Sequence, residues 1–114
     1  LAFGDDPVSN DERLDLHGLI DVDRTIHEPA RAAIMAVLFG VDSADFKFLL
    51  KTTNLTRGNL SVHARKLEAA GYLTIKKSYK NNYPHTEYRL TRKGRDAFRA
   101  YVNKLKLLSK AVNG

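Results

Sequence analysis

Residues 55–94 read LTRGNLSVHARKLEAAGYLTIKKSYKNNYPHTEYRLTRKG, and the period of their apolar residues changes once, at a glycine. Before it, Leu60, Ala64 and Leu67 recur at the spacing of one helical face, with His63 on the flank. Thr56 stands where a hydroxyl caps such a helix, accepting from the N–H of Gly58 or Asn59, a contact worth about 1 kcal/mol. Gly71 supplies a left-handed stop. From Tyr72 the period is two. Leu73, Ile75 and the aliphatic stem of Lys77 share one face, and Thr74, Lys76 and Ser78 share the other. Lys80, Asn81 and Asn82 form a tip, Thr86 to Leu90 return with Tyr88 and Leu90 inward, and Thr91 caps a further helix.

Working outward, Ser9 or Asn10 can cap a first helix that ends near Asp23, with Asp11 and Glu12 in its opening turn and Leu14, Leu16, Leu19 and Ile20 as its apolar stripe. A second begins near Pro29, a residue tolerated in a first turn because the N–H it lacks has no partner there. Ala30, Ala33, Ile34, Val37, Leu38 and Val41 form its core face. Asp42 or Ser43 caps a third helix through about Thr52, with Phe46, Leu49 and Leu50 inward and Lys47 and Lys51 outward. Thr53 to Leu55 is a turn. The expected fold is therefore α+β and mostly helical: a winged helix-turn-helix over residues 9–114, with an added N-terminal helix and a long C-terminal one. The recognition helix spans about 56–70 and the wing about 72–90; residues 1–8 (LAFGDDPV) have the composition of a flexible tail.

Charge is sorted along the chain. Residues 56–95 hold ten Lys or Arg against two Glu, whereas residues 1–30 hold two basic against eight acidic side chains. A merely solubilising charge would not be segregated in this way, so the basic part implies a polyanionic partner. The 114 residues suit one domain that buries roughly 60 to 70% of its unfolded surface. With no Cys there are no disulfides or thiolate metal sites, which fits a reducing, cytoplasmic setting. The apolar run from Ala32 to Phe39 is far shorter than the roughly 18 residues of a membrane span, and no signal peptide is visible.

A helix that enters the DNA major groove must be short, capped, and polar opposite its core stripe. The helix after Thr56 meets these needs. Arg57 can bind guanine O6 and N7, Asn59 can read adenine, Val62 can meet a thymine methyl, and Gly58 and Ser61 stand beside them. Arg65 and Lys66 reach phosphates, and the N–H of His63 can also donate to one, although a hydrogen-bonded boundary residue is the plainer reading of that histidine. In the wing, Lys76, Lys77, Lys80, Asn81, Asn82, His85 and Arg89 can follow the backbone or enter the minor groove. The competing readings are a solvated helix face and charges that protect a strand edge. Arg92, Lys93 and Arg95 can meet further phosphates or serve surface solubility alone.

No catalytic or metal-binding pattern is present. His17 and His27 are ten apart and His63 and His85 are isolated, so there is no HExxH or Cys/His spacing, and no P-loop or GxSxG. Asp5, Asp6, Asp11, Glu12 and Asp15 read as a solvated terminus. The expectation is a protein that is not an enzyme and uses no cofactor. In the last helix Phe98, Tyr101, Leu105, Leu108 and Val112 are spaced 3, 4, 3, 4, a heptad seam that can pack on its own domain or on a second chain. Full burial of five such side chains contributes roughly 7 to 15 kcal/mol, and association costs about 4 to 15. Pairing is favoured if Leu16, Leu19 and Ile20 of the first helix join it.

These residues resemble the compact winged-helix transcriptional regulators of the MarR, ArsR and PadR type. The shared motifs are HxPxR, as His27, Pro29 and Arg31; GNLSxHxxxLExAGY, as Gly58 to Ser61, His63, Leu67, Glu68 and Ala70 to Tyr72; and PxTxxxLTxxGRxAF, as Pro84, Thr86, Leu90, Thr91, Gly94, Arg95, Ala97 and Phe98. The resemblance covers about Leu14 to Leu108. It implies a homodimeric repressor or activator that binds double-stranded DNA through Arg57, Asn59, Ser61 and Val62, with wing contacts near the tip. Two features depart from the pattern: the Arg common beside the wing proline is here Tyr83 or His85, and the cysteine metal-sensing sites of some ArsR members cannot form. No motif in the sequence names a small-molecule effector. The rival classes are a protein-interaction module on the same scaffold, reading no DNA sequence, and an RNA-binding protein.

Overall fold

A computed structural model describes residues 16–113. The elements run α1 (His17–Ile20), α2 (Pro29–Phe39), β1 (Ala44–Asp45), α3 (Phe46–Thr53), α4 (Arg57–Ala69), β2 (Leu73–Lys80), β3 (Tyr83–Leu90) and α5 (Arg92–Asn113). The fold is mostly helical α+β with a three-stranded antiparallel sheet in the order β1-β3-β2. The proposed tail and the caps at Ser9 and Asn10 lie outside the described residues. The described end of the first helix stops at Ile20, three residues before the expected Asp23.

Helix α4 forms where its sequence signals place it. The Thr56 hydroxyl accepts from the Asn59 N–H at 3.1 Å. Leu60, Ala64 and Leu67 are its buried residues. At its end Gly71 takes φ +83°, and the N–H groups of Gly71 and Tyr72 donate to Glu68 and Leu67 carbonyls, a double closure that leaves few carbonyls unpaired. The third helix differs from expectation in its start. Asp45, rather than Asp42 or Ser43, caps it by accepting from the Phe48 N–H at 2.8 Å. The residues before it form β1, which pairs Ala44 with Tyr88 and Asp45 with Glu87.

In the hairpin, Asn81 and Asn82 both take positive φ, 52° and 67°. Two such residues match the right-handed twist of the flanking strands and close a two-residue turn. The return strand begins at Tyr83, not Thr86, so pairing runs without a break from Leu73 opposite Leu90 to Lys80 opposite Tyr83. Pro84 is accommodated because β1 reaches only Glu87 and Tyr88, which leaves the rest of that edge unpaired.

The largest fully buried side chains are Ile26, Ile34, Met35, Leu38, Leu49, Leu60, Leu67 and Leu73. Two of these were not foreseen. Ile26 sits in the loop before α2, pinned by Asp23, whose Oδ1 accepts from the N–H groups of Thr25 and Ile26. Met35 is buried because α2 is central, touching α3, α4, α5 and β3, so more than one face of it is covered. Phe98 and Tyr101 lie in this same core at 9% and 6% exposure. Of the two readings of the heptad, the first half takes the intramolecular one, so Phe98 and Tyr101, expected among the dimerisation residues, are used by the domain itself. The second half is free among the described residues, with Leu108 50% and Val112 77% exposed.

Candidate nucleic-acid interface

Three sides of α4 face three different surroundings. Leu60, Ala64 and Leu67 are in the core. His63 turns toward α2, where its Nδ1 lies 3.2 Å from the Arg31 guanidinium and 3.8 Å from a Glu28 carboxylate oxygen. Glu28 also caps α2, and the N–H donated by Arg31 holds its carboxyl below the usual carboxylate range; the charges of His63 and Arg31 add to this, against the effect of desolvation. His63 therefore sits in a cluster between two helices rather than on the outer surface.

The remaining side of α4 is open. Arg57, Gly58, Asn59, Val62, Arg65 and Lys66 are all exposed, and Ser61 is half-buried. A Cβ at Gly58 would meet nothing within 4 Å, so the fold itself makes no demand for glycine there. The Arg57 guanidinium lies over the Phe46 ring at 5.4 Å, which fixes the start of the helix against α3.

Two clefts join this side of α4 to the wing. One, of about 450 Å³, lies between the starts of α3 and α4 and the wing tip, and carries Lys47, Arg57, Lys80 and His85 above Phe46. The other, of about 400 Å³, separates Ser61, Arg65 and Glu68 of α4 from Ile75, Lys77, Thr86 and Tyr88 of the wing. Burial pushes the Tyr88 phenol above its ordinary pKa, with Arg65 opposing and Glu68 reinforcing the shift. Lys77 was expected to tuck its stem inward; it is exposed instead, because the helices stop covering the wing beyond Ile75.

The other basic residues divide. Lys76, Lys77, Lys80, Asn81, Asn82 and Arg89 are exposed on the wing and His85 is half-buried. Arg89 approaches Glu87 at 3.5 Å, a weak surface pair. Arg95 does not face a ligand. It donates to the carbonyls of Phe39 at 3.1 Å and Val41 at 3.2 Å, closing the end of α2, and this replaces its expected phosphate contact. Lys93 lies over the Tyr72 ring at 5.6 Å, whereas Arg92 is solvent-facing beside Asp96.

Sequence reasoning missed the floor and the tip of this surface. Phe46 was assigned only to the core, yet it underlies both clefts. Tyr79 and Tyr83, 76% and 74% exposed, flank the turn. Their position beyond the last inward pair of the hairpin was the available signal.

A capped helix with a polar outer side, preceded by a short helix and followed by a projecting basic hairpin, defines a winged helix-turn-helix of the DNA-binding kind. Residues 30–108 match the winged helix DNA-binding domain family, and the chain belongs to it. It is 39% identical over 82 residues to an uncharacterized protein of Methanocaldococcus jannaschii, covering 72% of this chain and 89% of that one. The structure of a transcriptional regulator homologue from Pyrococcus horikoshii OT3 superposes with a TM-score of 0.78 at 26% identity, covering 85% of this chain and 98% of that one. The transcriptional repressor CouR, solved bound to a 23-mer DNA duplex, shares the fold with a TM-score of 0.61 at 22% identity, over 95% of this chain and 70% of that one. Among the described residues no helix is long and apolar enough to cross a membrane.

Proposed function

We propose that the chain is a sequence-specific transcriptional regulator that binds double-stranded DNA as a homodimer, with α4 in the major groove and the wing on the backbone or in the minor groove. The observation that carries this reading is the meeting of the exposed side of α4 with the basic wing across two clefts. Asn59 and Val62 offer an adenine and a thymine-methyl contact, Arg57 a guanine contact at the helix start, and Arg65 and Lys66 phosphate contacts. Thr56, Gly58 and Ser61 let the helix end approach closely; His63 supports α4 from behind. Selection of bound duplexes from a random pool at physiological salt should yield a palindrome with half-sites roughly 34 to 36 Å apart. No enrichment would favour the protein-interaction module. Arg57→Ala should cost about 1 to 3 kcal/mol at one base pair; a variant as selective as the parent would remove the base-reading role from Arg57.

The dimer is assigned to the apolar surface that α1 and α5 share. Leu16, Ile20, Leu108 and Val112 are exposed, and the two helices are joined where Lys104 Nζ donates to the Asp21 carbonyl at 3.0 Å. Leu19 and Leu105 are half-buried, Leu105 packed against the core. Combining Ile20→Glu with Leu108→Glu should halve the mass seen by light scattering without unfolding the core, because neither side chain belongs to it. A double variant that stays dimeric at the same concentrations would place the contact elsewhere.

A further inference from the structure

We propose that Tyr79 and Tyr83 are the wing's contacts with the minor groove, one ring against each sugar-phosphate wall, and that they make affinity depend on how readily that groove widens. The inference rests on the reading of duplex DNA as the ligand. Beyond Ile75 every residue of β2 is exposed, from Lys76 to Lys80, but on β3 residues 85–87 are half-buried while Tyr83 and Pro84 are exposed, so the last two pairs of the hairpin, Tyr79 with Pro84 and Lys80 with Tyr83, project beyond the covered part by about 7 Å at about 3.4 Å per residue. Lys80 pairs with Tyr83 and Tyr79 with Pro84, which sends the two rings to opposite faces of the ribbon. Both are about three-quarters exposed, at 76% and 74%. An aromatic ring on each face at the end of a projecting ribbon adds nothing to the core. Its surroundings fit a polyanion: Lys76, Lys77 and Lys80 are exposed, and the one carboxylate of the hairpin, Glu87, lies beside Arg89.

The minor groove of B-form DNA is about 6 Å wide. A strand pair with side chains on both faces is thicker, since stacked sheets lie about 10 Å apart. The groove must therefore open by several ångströms to admit the tip, with the ring edges on deoxyribose C–H groups and the phenol O–H groups within reach of phosphate. Flexible TA and CA/TG steps yield to such deformation, whereas stiff A-tracts resist it and instead attract arginine, which the tip lacks.

The test compares duplexes that carry the selected consensus with either TA/CA-rich or A-tract sequence where the wing lands. The parent should bind the flexible flanks about tenfold more tightly. Combining Tyr79→Thr with Tyr83→Thr removes the rings and keeps β-branched residues that favour strand, so the hairpin persists, as an unchanged thermal midpoint would verify. This variant should lose the preference, mainly through about tenfold weaker binding to the flexible duplex, while the Tyr79→Phe, Tyr83→Phe pair keeps it. A parent that prefers A-tract flanks, or a Thr variant that retains the parent's preference, overturns the inference with DNA binding intact. A Thr variant weakened equally on both duplexes also overturns it and assigns the rings to cross-strand support of the hairpin. A parent that binds no duplex sinks the underlying reading of function as well.

Discussion

Replacing Gly94 with alanine is expected to destabilise the protein by about 3 kcal/mol or more, at or above the upper end of ordinary overpacking. In a domain of this size that lowers the melting temperature by on the order of 10 °C. A Cβ built on Gly94 would lie 1.9 Å from the Tyr72 carbonyl oxygen and 2.8 Å from its carbon, both backbone atoms with no freedom to rotate away. The contact is this close because Thr91 ties the two segments together. Its N–H donates to the same Tyr72 carbonyl at 3.0 Å. Its hydroxyl donates to the Gly71 carbonyl at 2.6 Å and accepts from the Gly94 N–H at 2.9 Å. Thermal unfolding followed by circular dichroism measures the loss. Gly58→Ala is the control: with open space around it, it should be neutral or stabilise by up to about 1 kcal/mol. Equal midpoints for the two variants would mean that the first turn of α5 is less tightly seated than the geometry requires.

DNA affinity is expected to fall about 10³ to 10⁵ fold between 50 and 200 mM salt if the proposed dimer engages about 6 to 10 phosphates. That requires three to five phosphates from each copy, roughly, and each copy supplies enough charge: Arg57, Arg65, Lys66, Lys76, Lys77 and Lys80 are exposed on α4 and the wing. Arg95 contributes nothing to this count because its guanidinium is held by two carbonyls. Titrations of a fluorescent duplex at several salt concentrations give the slope directly. A nearly flat dependence would be incompatible with a contact built on these cations and would favour the protein-interaction reading.

How much of this was legible in the sequence followed from how local each signal is. Helix α4 is specified by residues within one or two turns of each other, and Thr56, the Leu60/Ala64/Leu67 stripe and Gly71 each appear in their expected roles. The hairpin was legible in kind but not in length, because Pro84 interrupts the alternating pattern while the unpaired edge beside it tolerates a proline. Strand β1 is two residues long, too short to carry a period. The role of Arg95 depends on carbonyls more than fifty residues away. The heptad in α5 was visible, but nothing in its spacing reveals that Phe98 and Tyr101 meet Phe39 and His27 of the same chain. The candidate site was readable as a set of basic residues; the shelf of Phe46 and the outward rings of Tyr79 and Tyr83 depend on where the covering helices stop.

Tyr72 joins most of what surrounds it. Its N–H closes α4 and its carbonyl receives Thr91. Its hydroxyl donates to Asp23 in the loop before α2, which, with burial as the larger cause, pushes its pKa up to about 12. The end of the reading helix, both roots of the wing and the base of α5 thus converge on one residue. Helix α4 and the wing are joined through the same residue that seats the base of α5. In the proposed dimer the angle between each reading helix and its wing is then set within one copy, and the apolar surface shared by α1 and α5 is left to set how far apart two such units stand.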